Sequence, residues 1–340
     1  MDPAPRTEES LEDLLSEPAP EVVATLRRFP GDLVLLGVAG KMGPTLARMA
    51  RRAADAAGGS RRVVGVARFS SGGENALQAH GIETVRCDLL HDDLAQLPDA
   101  PNVIFLTGRK FGTAGDSAAT WAMNSYLPGR ICHRYRGSRI VAFSTGNIYG
   151  LTPVARGGSL ESDVPEPVGE YAMSCLGRER MFEYFGRSLS IPLALVRLNY
   201  ACDLRYGVLV DLARHVWAGH PIDLTMGHFN TIWQGDANAF TLRAFDHVGI
   251  PPSIINVTGP EILGVRAVCE QFGRLMEKSV CFTGAESDSA LLSDARHAVE
   301  LFGLPRISET QLVEWVARWV MHGGSHLGKP THFESRSGRF

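Results

Sequence analysis

The sequence GVAGKMG at residues 37–43 directly follows an apolar run, Leu33–Leu36, and precedes a segment whose apolar residues recur at helical spacing. A buried strand that leads through a glycine-rich turn into a helix is typical of folds that bind phosphate-bearing cofactors. Of the three glycines Gly37, Gly40 and Gly43, one permits the tight turn, one lets a pyrophosphate approach the backbone, and one lets helix and strand pack closely. This stretch predicts the first βα unit of a nucleotide-binding sheet.

The same turn offers what a pyrophosphate needs for binding. The helix behind it presents unpaired backbone N–H groups and a dipole that favours negative charge. A P-loop is excluded, because Lys41 is followed by Met42 rather than by Ser or Thr. The plain alternative is a tight turn that binds nothing. We predict that Gly37, Gly40, Lys41, Met42 and Gly43 bind a dinucleotide.

Short apolar runs alternate with longer amphipathic segments along most of the chain. This alternation predicts a parallel sheet with helices on both faces. The predicted strands are Leu33–Leu36, Val63–Ala67, Thr84–Cys87, Val103–Thr107, Ile140–Ser144, Leu193–Leu198 and Ile254–Val257. We therefore expect an α/β fold, a Rossmann-type doubly wound parallel sheet with a smaller C-terminal substrate-binding lobe.

Four segments follow from this pattern. Residues 1–30 are expected to form a helical N-terminal extension, 31–199 the Rossmann dinucleotide-binding domain, and 200–322 mainly the substrate-binding lobe. A late strand near 254–257 returns to the sheet. Residues 323–340 are Gly-rich and polar, and they form a C-terminal tail that is either disordered or docked on the protein.

Composition excludes several classes of function. A net charge of −3 over 340 residues gives no electrostatic basis for binding nucleic acid or a membrane surface. The six cysteines are scattered without a CxxC pair, which indicates reduced thiols in a cytoplasmic protein. The histidines show no metal-binding spacing, so no metal site is expected.

The spacing GxxGxxG resembles that of the short-chain dehydrogenase/reductase superfamily, and in particular its extended branch, the NAD(P)-dependent sugar epimerases and dehydratases. FSTGNIYG at residues 143–150 is similar to the family's S-[ST]-x-x-x-Y-G signature, with Thr145 at the Ser/Thr position. Tyr171 opens a helical segment where the family's catalytic tyrosine belongs, and Asn124 resembles its helix-four asparagine. The resemblance covers roughly residues 30–320.

The resemblance implies an enzyme that acts by hydride transfer on a hydroxyl of a sugar, sugar acid or nucleotide sugar. Thr145 would hydrogen-bond the reacting oxygen and Tyr171 would act as acid and base. Whether the hydride returns to the substrate, as in an epimerase, or leaves with the cofactor, as in a dehydrogenase, stays open. We also expect a homodimer.

The adenosine end of the cofactor is expected at the carboxyl ends of the second and third strands. Arg68 stands where an acidic residue would select the 2′-hydroxyl of NAD, and with Ser70 and Ser71 it could bind the 2′-phosphate of NADP. NADP is therefore favoured over NAD, although an arginine stacked on adenine would tolerate either. Asp88 and Leu89 resemble the family's adenine-binding position, and an exposed strand-end aspartate is the alternative.

One departure from the family concerns the tyrosine. Four residues after Tyr171, where the family has a catalytic lysine, stands Cys175. A free tyrosine has a pKa of about 10, and a nearby cation is needed to lower it for general-base catalysis. Arg178 lies on the same helix face but is expected to lie too far along it. Lys110, after the fourth strand, is predicted to reach Tyr171, the nicotinamide end of the cofactor or an anionic substrate instead. A solvated loop lysine is the alternative.

The missing lysine leaves a second hypothesis open: a catalytically impaired dinucleotide-binding protein that acts as a sensor or scaffold. The sequence between residues 200 and 235 contains polar and aromatic residues suited to sugars, each of which has a structural role as its alternative. These residues are Arg205, Tyr206, His228, Asn230 and Trp233.

Overall fold

The structure, a computed structural model, describes residues 4–110 and 115–338. Seven parallel strands form its central sheet. They are Leu33–Leu36 (β1), Val63–Ala67 (β2), Glu83–Arg86 (β3), Asn102–Phe105 (β4), Arg139–Thr145 (β5), Leu193–Leu198 (β6) and Ser253–Val257 (β7). Their order across the sheet is β3-β2-β1-β4-β5-β6-β7, so the chain reverses its direction of travel between β1 and β4. In doubly wound folds the ligand crevice opens beside such a reversal, at the carboxyl ends of the strands.

Helices cover both faces of the sheet and build the smaller lobe. The α-helices among the described residues are Glu8–Leu15 (α1), Pro20–Arg28 (α2), Gly43–Ala57 (α3), Glu74–Ala79 (α4), Ser117–Trp121 (α5), Leu127–Arg134 (α6), Gly169–Ser188 (α7), Val208–Ala218 (α8), Gln234–Arg243 (α9), Val265–Met276 (α10), Arg296–Phe302 (α11) and Glu309–Met321 (α12). A π-helical turn, Ala122–Tyr126, joins α5 to α6.

The sheet forms the core of the larger lobe. Every residue of β1, β2 and β4 is buried, as expected for central parallel strands that are covered on both faces. One apolar cluster lies between the sheet and α2, α3 and α9, and another lies between the sheet and α6 and α7. These two layers hold the carboxyl ends of the strands in register.

A third apolar cluster is the core of the smaller lobe, where α8, α10 and α12 pack together. Leu11 and Leu15 of α1 are buried in this cluster, whereas Val22 and Leu26 of α2 belong to the sheet's core. The N-terminal helices α1 and α2 thus contact both lobes.

The strands lie where the apolar runs predict them, with small shifts at the ends. The run Val103–Thr107 gives a strand that ends at Phe105, and the next two residues, Leu106 and Thr107, line the cleft. In contrast, β5 extends one residue beyond its predicted end and carries Thr145 to the edge of the cleft.

Two further features complete the fold. Residues 323–338 lie against the body of the protein, with Phe333 only 6% exposed, so the tail is docked over the residues described. Within residues 4–110 and 115–338, the structure contains no helix that combines the length and apolar character needed to cross a membrane.

Candidate active site

The glycine loop after β1 has the geometry that its sequence predicts. Gly37 has a φ of +92°, and a Cβ there would approach the Thr107 hydroxyl to 2.7 Å. A Cβ on Gly43 would clash with the carbonyl of Val38, so α3 can begin this close to the loop only because Gly43 has no side chain. Gly40 is less crowded: among the described residues, a Cβ there would come within 4 Å of Gly37 O alone, at 3.3 Å.

The start of α3 is free to bind an anion. The described side chains provide no hydrogen-bonded cap at its N-terminus. Gly37 and Gly40 line two cavities, one on each side of the loop. A dinucleotide that lay across the loop would place its pyrophosphate at this helix end and one nucleoside in each cavity.

The first cavity, of about 240 Å³, has the composition expected for the adenosine end. Arg68, Ser70, Ser71, Asp88 and Leu89 line it together. The Arg68 guanidinium lies 3.9 Å from the Asp88 carboxylate, and its side chain is 63% exposed. The predicted adenosine-binding residues are therefore close together, and the arginine is accessible to a ligand.

The hydroxyl of Thr107 gives a further sign of fit in this cavity. It lines the cavity wall, is buried, and has no hydrogen-bond partner among the described residues. Buried polar atoms in folded proteins are nearly always hydrogen-bonded, and a ligand in this cavity would supply the partner that this hydroxyl lacks among the described residues. The loop, the uncapped helix and this hydroxyl together fit a dinucleotide.

The second cavity, of about 260 Å³, is the candidate reaction site. It brings Lys41, Lys110 and Thr145 together with Tyr206 and Thr331. Its described lining contains two lysines and no Asp or Glu. The cavity therefore favours an anionic ligand.

Thr145 and Tyr171 lie side by side. Their side chains are hydrogen-bonded to each other. Thr145 lines the cavity and is 9% exposed, and its Oγ1 accepts a hydrogen bond from Asn147 N at 3.1 Å. Tyr171 is half-buried and is not part of the described cavity lining; Thr145, which contacts it, is. The pair lies at the edge of the cavity, at the start of α7.

Burial is the main reason why the pKa of Tyr171 is raised above its ordinary value. The neighbouring Cys175 raises it further, whereas the charge of Arg178 and the hydrogen bond from Thr145 lower it. A tyrosine in this environment is protonated at neutral pH. It can donate a proton as it stands, and it needs positive charge nearby to accept one.

Cys175 takes the lysine position but cannot replace the lysine's charge. Its side chain is fully buried, packed with Ile148 and Tyr149, and its sulfur is hydrogen-bonded to Tyr171. Burial raises the pKa of the Cys175 thiol, so it stays neutral. A neutral thiol therefore stands at the position where the resemblance implies a lysine.

Lys110 lies beside the tyrosine. Its ammonium is 6.0 Å from the centroid of the Tyr171 ring and donates a hydrogen bond to the Thr331 carbonyl at 3.3 Å. Burial lowers the pKa of Lys110 to about 8. The loop after β4 thus brings an amine to the cavity wall, close to where the missing lysine would act.

The position of Arg178 corrects the expectation that it lies too far along the helix. Its buried guanidinium donates to Phe143 O at 2.9 Å and to Asn124 Oδ1 at 2.7 Å. The side chain therefore turns back toward the carboxyl ends of β4 and β5, where its charge lowers the pKa of Tyr171. Spacing along a helix does not reveal this, because a long side chain can span a further turn.

Asn124 connects these groups. It lies in the π-helical turn, accepts from Arg109 N at 2.9 Å and donates to Arg109 O at 3.0 Å. It also donates to Ser174 Oγ on α7 at 2.9 Å. π-Helical turns occur frequently at functional sites. This one fixes the loop that carries Lys110 relative to the helix that carries Tyr171.

A buried ion pair supports strand β5. Arg197 and Glu179 are 2.8 Å apart and at most 2% exposed. Glu179 also accepts a hydrogen bond from Ser144, the residue before Thr145. The Tyr149 hydroxyl accepts from Arg197 at 2.6 Å and donates to Asn256 at 2.8 Å. This network holds the signature segment rigid.

Of the five polar and aromatic residues proposed for the substrate lobe, one lines the reaction cavity. That residue is Tyr206, whose ring lies 4.0 Å from the Lys41 ammonium. Asn230 and Trp233 are buried in the lobe, and Arg205 forms ion pairs with Glu12 and Asp203. His228 lies in a short strand, paired with Gly264, outside the cavity lining. For these four residues the structure therefore favours a structural role over sugar binding.

Thr331 is a cavity residue that the sequence analysis missed. Nothing in its local sequence marks it, because it reaches the cavity only through the path of the tail. No cluster of three or more potential metal ligands occurs within residues 4–110 and 115–338.

Comparison with known proteins places this geometry in context. Residues 33–202 match the sequence profile of the NAD dependent epimerase/dehydratase family. No curated protein compared with the chain matches it significantly.

Solved structures share the fold at low sequence identity. UDP-glucuronic acid 4-epimerase from Bacillus cereus, in complex with NAD, is 18% identical, with a TM-score of 0.71 over 85% of this chain and 96% of that one. dTDP-glucose 4,6-dehydratase from Bacillus anthracis, in complex with NAD, is 14% identical, with a TM-score of 0.70 over 86% and 96% of the two chains. UDP-glucose 4-epimerase from Thermotoga maritima, with UDP-glucose, is 14% identical, with a TM-score of 0.69 over 85% and 98%. The predicted fold is confirmed.

Proposed function

The chain belongs to the NAD dependent epimerase/dehydratase family, a family of enzymes, and we propose on that basis that it oxidises or epimerises a hydroxyl group of a sugar or sugar derivative with a bound NAD(P). The observation that carries this proposal is the hydrogen-bonded Thr145–Tyr171 pair at the edge of a cavity that shares Gly37 and Gly40 with the adenosine cavity. Residues 31–199 would bind the cofactor, and 200–322 would supply most of the substrate contacts.

The bound cofactor would accept or return hydride, and the protein's own residues would handle the proton. Thr145 would hydrogen-bond the reacting hydroxyl and hold it toward Tyr171. Tyr171 would take the hydroxyl proton during oxidation and return it during reduction. Cys175 would remain a neutral neighbour.

Two cations support Tyr171 in this scheme. Arg178 is fixed by hydrogen bonds and supplies a permanent charge. Lys110 lies at the cavity wall, where its ammonium can act on the tyrosine or on a charged substrate. One opposite charge within ~4–6 Å lowers a pKa by about one to three units. The two together would replace the family's lysine.

The reaction type can be tested directly. Purified protein loaded with NAD⁺ or NADP⁺ should form reduced cofactor, or interconvert epimers, with at least one compound of a panel of free sugars, sugar acids and nucleotide sugars. The fold relatives in complex with UDP-glucose and with NAD make this panel reasonable. Stoichiometric cofactor binding without turnover on the whole panel would instead favour the sensor or scaffold hypothesis.

The glycine loop gives the first prediction. Gly40→Val should abolish the stabilisation of the fold by NAD⁺ and NADP⁺, because a branched side chain would occupy the surface that the pyrophosphate must approach. Thermal unfolding with and without cofactor measures this effect. Gly137→Val is the matched control, since a Cβ at Gly137 has no neighbour within 4 Å. Equal cofactor stabilisation of the Gly40 variant and the wild type would contradict the binding mode.

The second prediction concerns cofactor preference, which we propose is NADP over NAD. Arg68→Asp should weaken NADP⁺ binding by about 1.5–3 kcal/mol, the range for a hydrogen bond to a charged group, and should affect NAD⁺ much less. Titration calorimetry with both cofactors measures the difference. Arg136→Asp makes the same charge change at an exposed position outside the cavities. Tighter binding of NAD⁺ than of NADP⁺ by the wild type would refute the preference.

The third prediction concerns assembly as a homodimer, for which α5 to α7 provide a surface. These neighbouring helices expose Trp121, Tyr126, Met173 and Tyr184, with exposures from 38% to 63%. Contiguous exposed apolar surface indicates an interaction site. A double variant, Tyr126→Asp with Tyr184→Asp, should sediment as a monomer, whereas Leu304→Asp, at a 70% exposed position elsewhere, should not. A monomeric wild type would rule out this proposal.

A further inference from the structure

The C-terminal segment 323–338, named the strap here, crosses the candidate active site without forming helix or strand. At one end, Leu327 N donates to the Arg205 carbonyl at 3.1 Å in the smaller lobe. At the other end, Gly338 packs against the backbone of Gly169, where α7 begins. The strap thus joins the substrate lobe to the helix that carries Tyr171.

Two contacts hold the strap between these ends. The Phe333 ring lies 6.0 Å from that of Phe229 and is 6% exposed. The Arg336 guanidinium donates to the carbonyl and to the hydroxyl of Ser289, each at 2.8 Å. A segment with a buried aromatic ring and an arginine that is hydrogen-bonded to Ser289 is an ordered part of the lobe, unlike a frayed terminus.

In the middle of the strap, Thr331 contacts α8. Its N–H and its hydroxyl both donate to Asp211 Oδ2, at 2.8 Å and 2.6 Å. Its carbonyl accepts from Lys110 at 3.3 Å, and the residue is only 2% exposed. We name the Asp211–Thr331 pair the clasp.

The clasp separates two cavities. The reaction cavity of about 260 Å³ has Thr331 and Tyr206 in its wall. A second cavity, of about 410 Å³, has Asp211, Pro330 and Phe333 in its wall, and the described linings of the two cavities share no residue. With the clasp closed, the reaction cavity ends at the strap.

We propose that the strap confines the reaction cavity to a single sugar ring that carries a carboxylate, so that the substrate is a free sugar acid and not a sugar linked to a nucleotide. This inference rests on the proposed function and specifies its substrate class. Ligand pockets usually measure about 300–1,000 Å³, and this cavity must hold the nicotinamide end of the cofactor as well as the substrate. A further nucleoside diphosphate would need the space beyond the clasp.

The charge of the cavity also favours a substrate that carries a carboxylate. Lys110 and Lys41 are both in its described lining, which contains no Asp or Glu. Lys41 projects from the glycine loop toward the smaller lobe and donates to Ala201 O at 2.9 Å. A sugar carboxylate between the strap and the loop would therefore lie close to positive charge, whereas the Asp211 carboxylate is hydrogen-bonded to Thr331 in the strap and, with Asp203 and Glu334, acts on the two lysines from outside the described lining.

Binding measurements on the cofactor-loaded protein test the proposal independently of turnover. Calorimetry should show that glucuronate or galacturonate binds at least about tenfold more tightly than UDP-glucuronic acid or UDP-glucose. The double variant Asp211→Asn with Thr331→Val should bind the UDP-linked sugars about tenfold more tightly than the wild type, since it loses hydrogen bonds to a charged group that hold the clasp closed. Thr25→Val is the matched control, because Thr25 donates to Asp246 at 2.5 Å away from the cleft.

A second variant covers the case in which the double variant does not fold. Arg336→Ala releases the far end of the strap from Ser289 and should shift selectivity in the same direction. Wild-type binding of a UDP-linked sugar more tightly than of the free acids would overturn the proposal, as would unchanged selectivity in folded clasp variants or binding of neither class. Failure of the protein to bind any dinucleotide is a separate result, and it would refute the proposed function itself.

Discussion

Tyr171→Phe should lower turnover by about 10²–10⁴-fold, the range expected when a positioned general acid–base is removed. The change deletes the hydroxyl that is hydrogen-bonded to Thr145 and leaves the ring in place. Cofactor affinity should change little, because the glycine loop and the adenosine cavity do not include Tyr171. The rate of cofactor reduction or epimerisation with an active sugar, compared with the dissociation constant for NAD(P)⁺, separates the two effects.

The control for this variant is Tyr184→Phe, which removes a hydroxyl from an exposed tyrosine on the same helix. It should leave turnover unchanged. If Tyr171→Phe retained the wild-type rate, proton transfer by Tyr171 would be excluded. The Thr145–Tyr171 pair would then have only a structural role.

Lys110→Met should lower turnover at neutral pH by about 10–1,000-fold, because it removes a positive charge that would favour the ionised tyrosine by one to three pKa units. Methionine keeps most of the side chain's volume, so the cavity wall should survive. Lys278→Met makes the same change at an exposed site and should be silent.

The pH dependence gives a second readout of Lys110. Burial lowers the pKa of Lys110 to about 8, so its ammonium is charged below that pH and neutral above it. If the charged form is required, wild-type activity falls as the pH rises through about 8. Lys110→Met should lose this decline, and its activity should instead rise toward alkaline pH as Tyr171 ionises.

A rescue experiment distinguishes charge from structure. Adding Cys175→Lys to the Lys110→Met variant returns a cation to the position that the family uses and should restore part of the activity. A Lys110→Met variant with the wild-type rate and pH profile would show that Lys110 is dispensable. Arg178 would then be the cation that acts on Tyr171.

Local sequence was sufficient for the main features of the fold. All seven predicted runs are strands of the sheet. The central strands were predictable because they must be apolar on both faces, whereas β3 is a polar edge strand that the βα alternation predicted. The glycine loop was equally predictable from the sequence, because the backbone at Gly37 and Gly43 leaves no room for a side chain. Thr145 and Tyr171 were found because each follows a recognisable strand or opens a helix.

The surroundings of Tyr171 depended on contacts between distant parts of the chain. Helical spacing identified Cys175 as the i+4 neighbour, yet it could not show that Arg178 turns back to Asn124 and Phe143. The sequence predicted that Lys110 lies near Tyr171, but it did not reveal the cause. The π-helical turn fixes the loop after β4 against α7, and this contact between distant segments brings Lys110 beside Tyr171. Side-chain direction and loop path are set by partners elsewhere in the chain.

The strap is the clearest example of a feature whose position the sequence does not determine. Residues 323–338 are polar and rich in glycine, a composition that left docking and disorder equally open. Only tertiary structure places Thr331 against Asp211 and Lys110, residues 120 and 221 positions away along the chain. Sequence alone therefore determined the sheet and the position of the glycine loop, and it predicted Thr145 and Tyr171 as a catalytic pair, because these signals are local. Tertiary structure decided which charges surround Tyr171 and how large the reaction cavity is, because both depend on segments that become neighbours only when the chain folds.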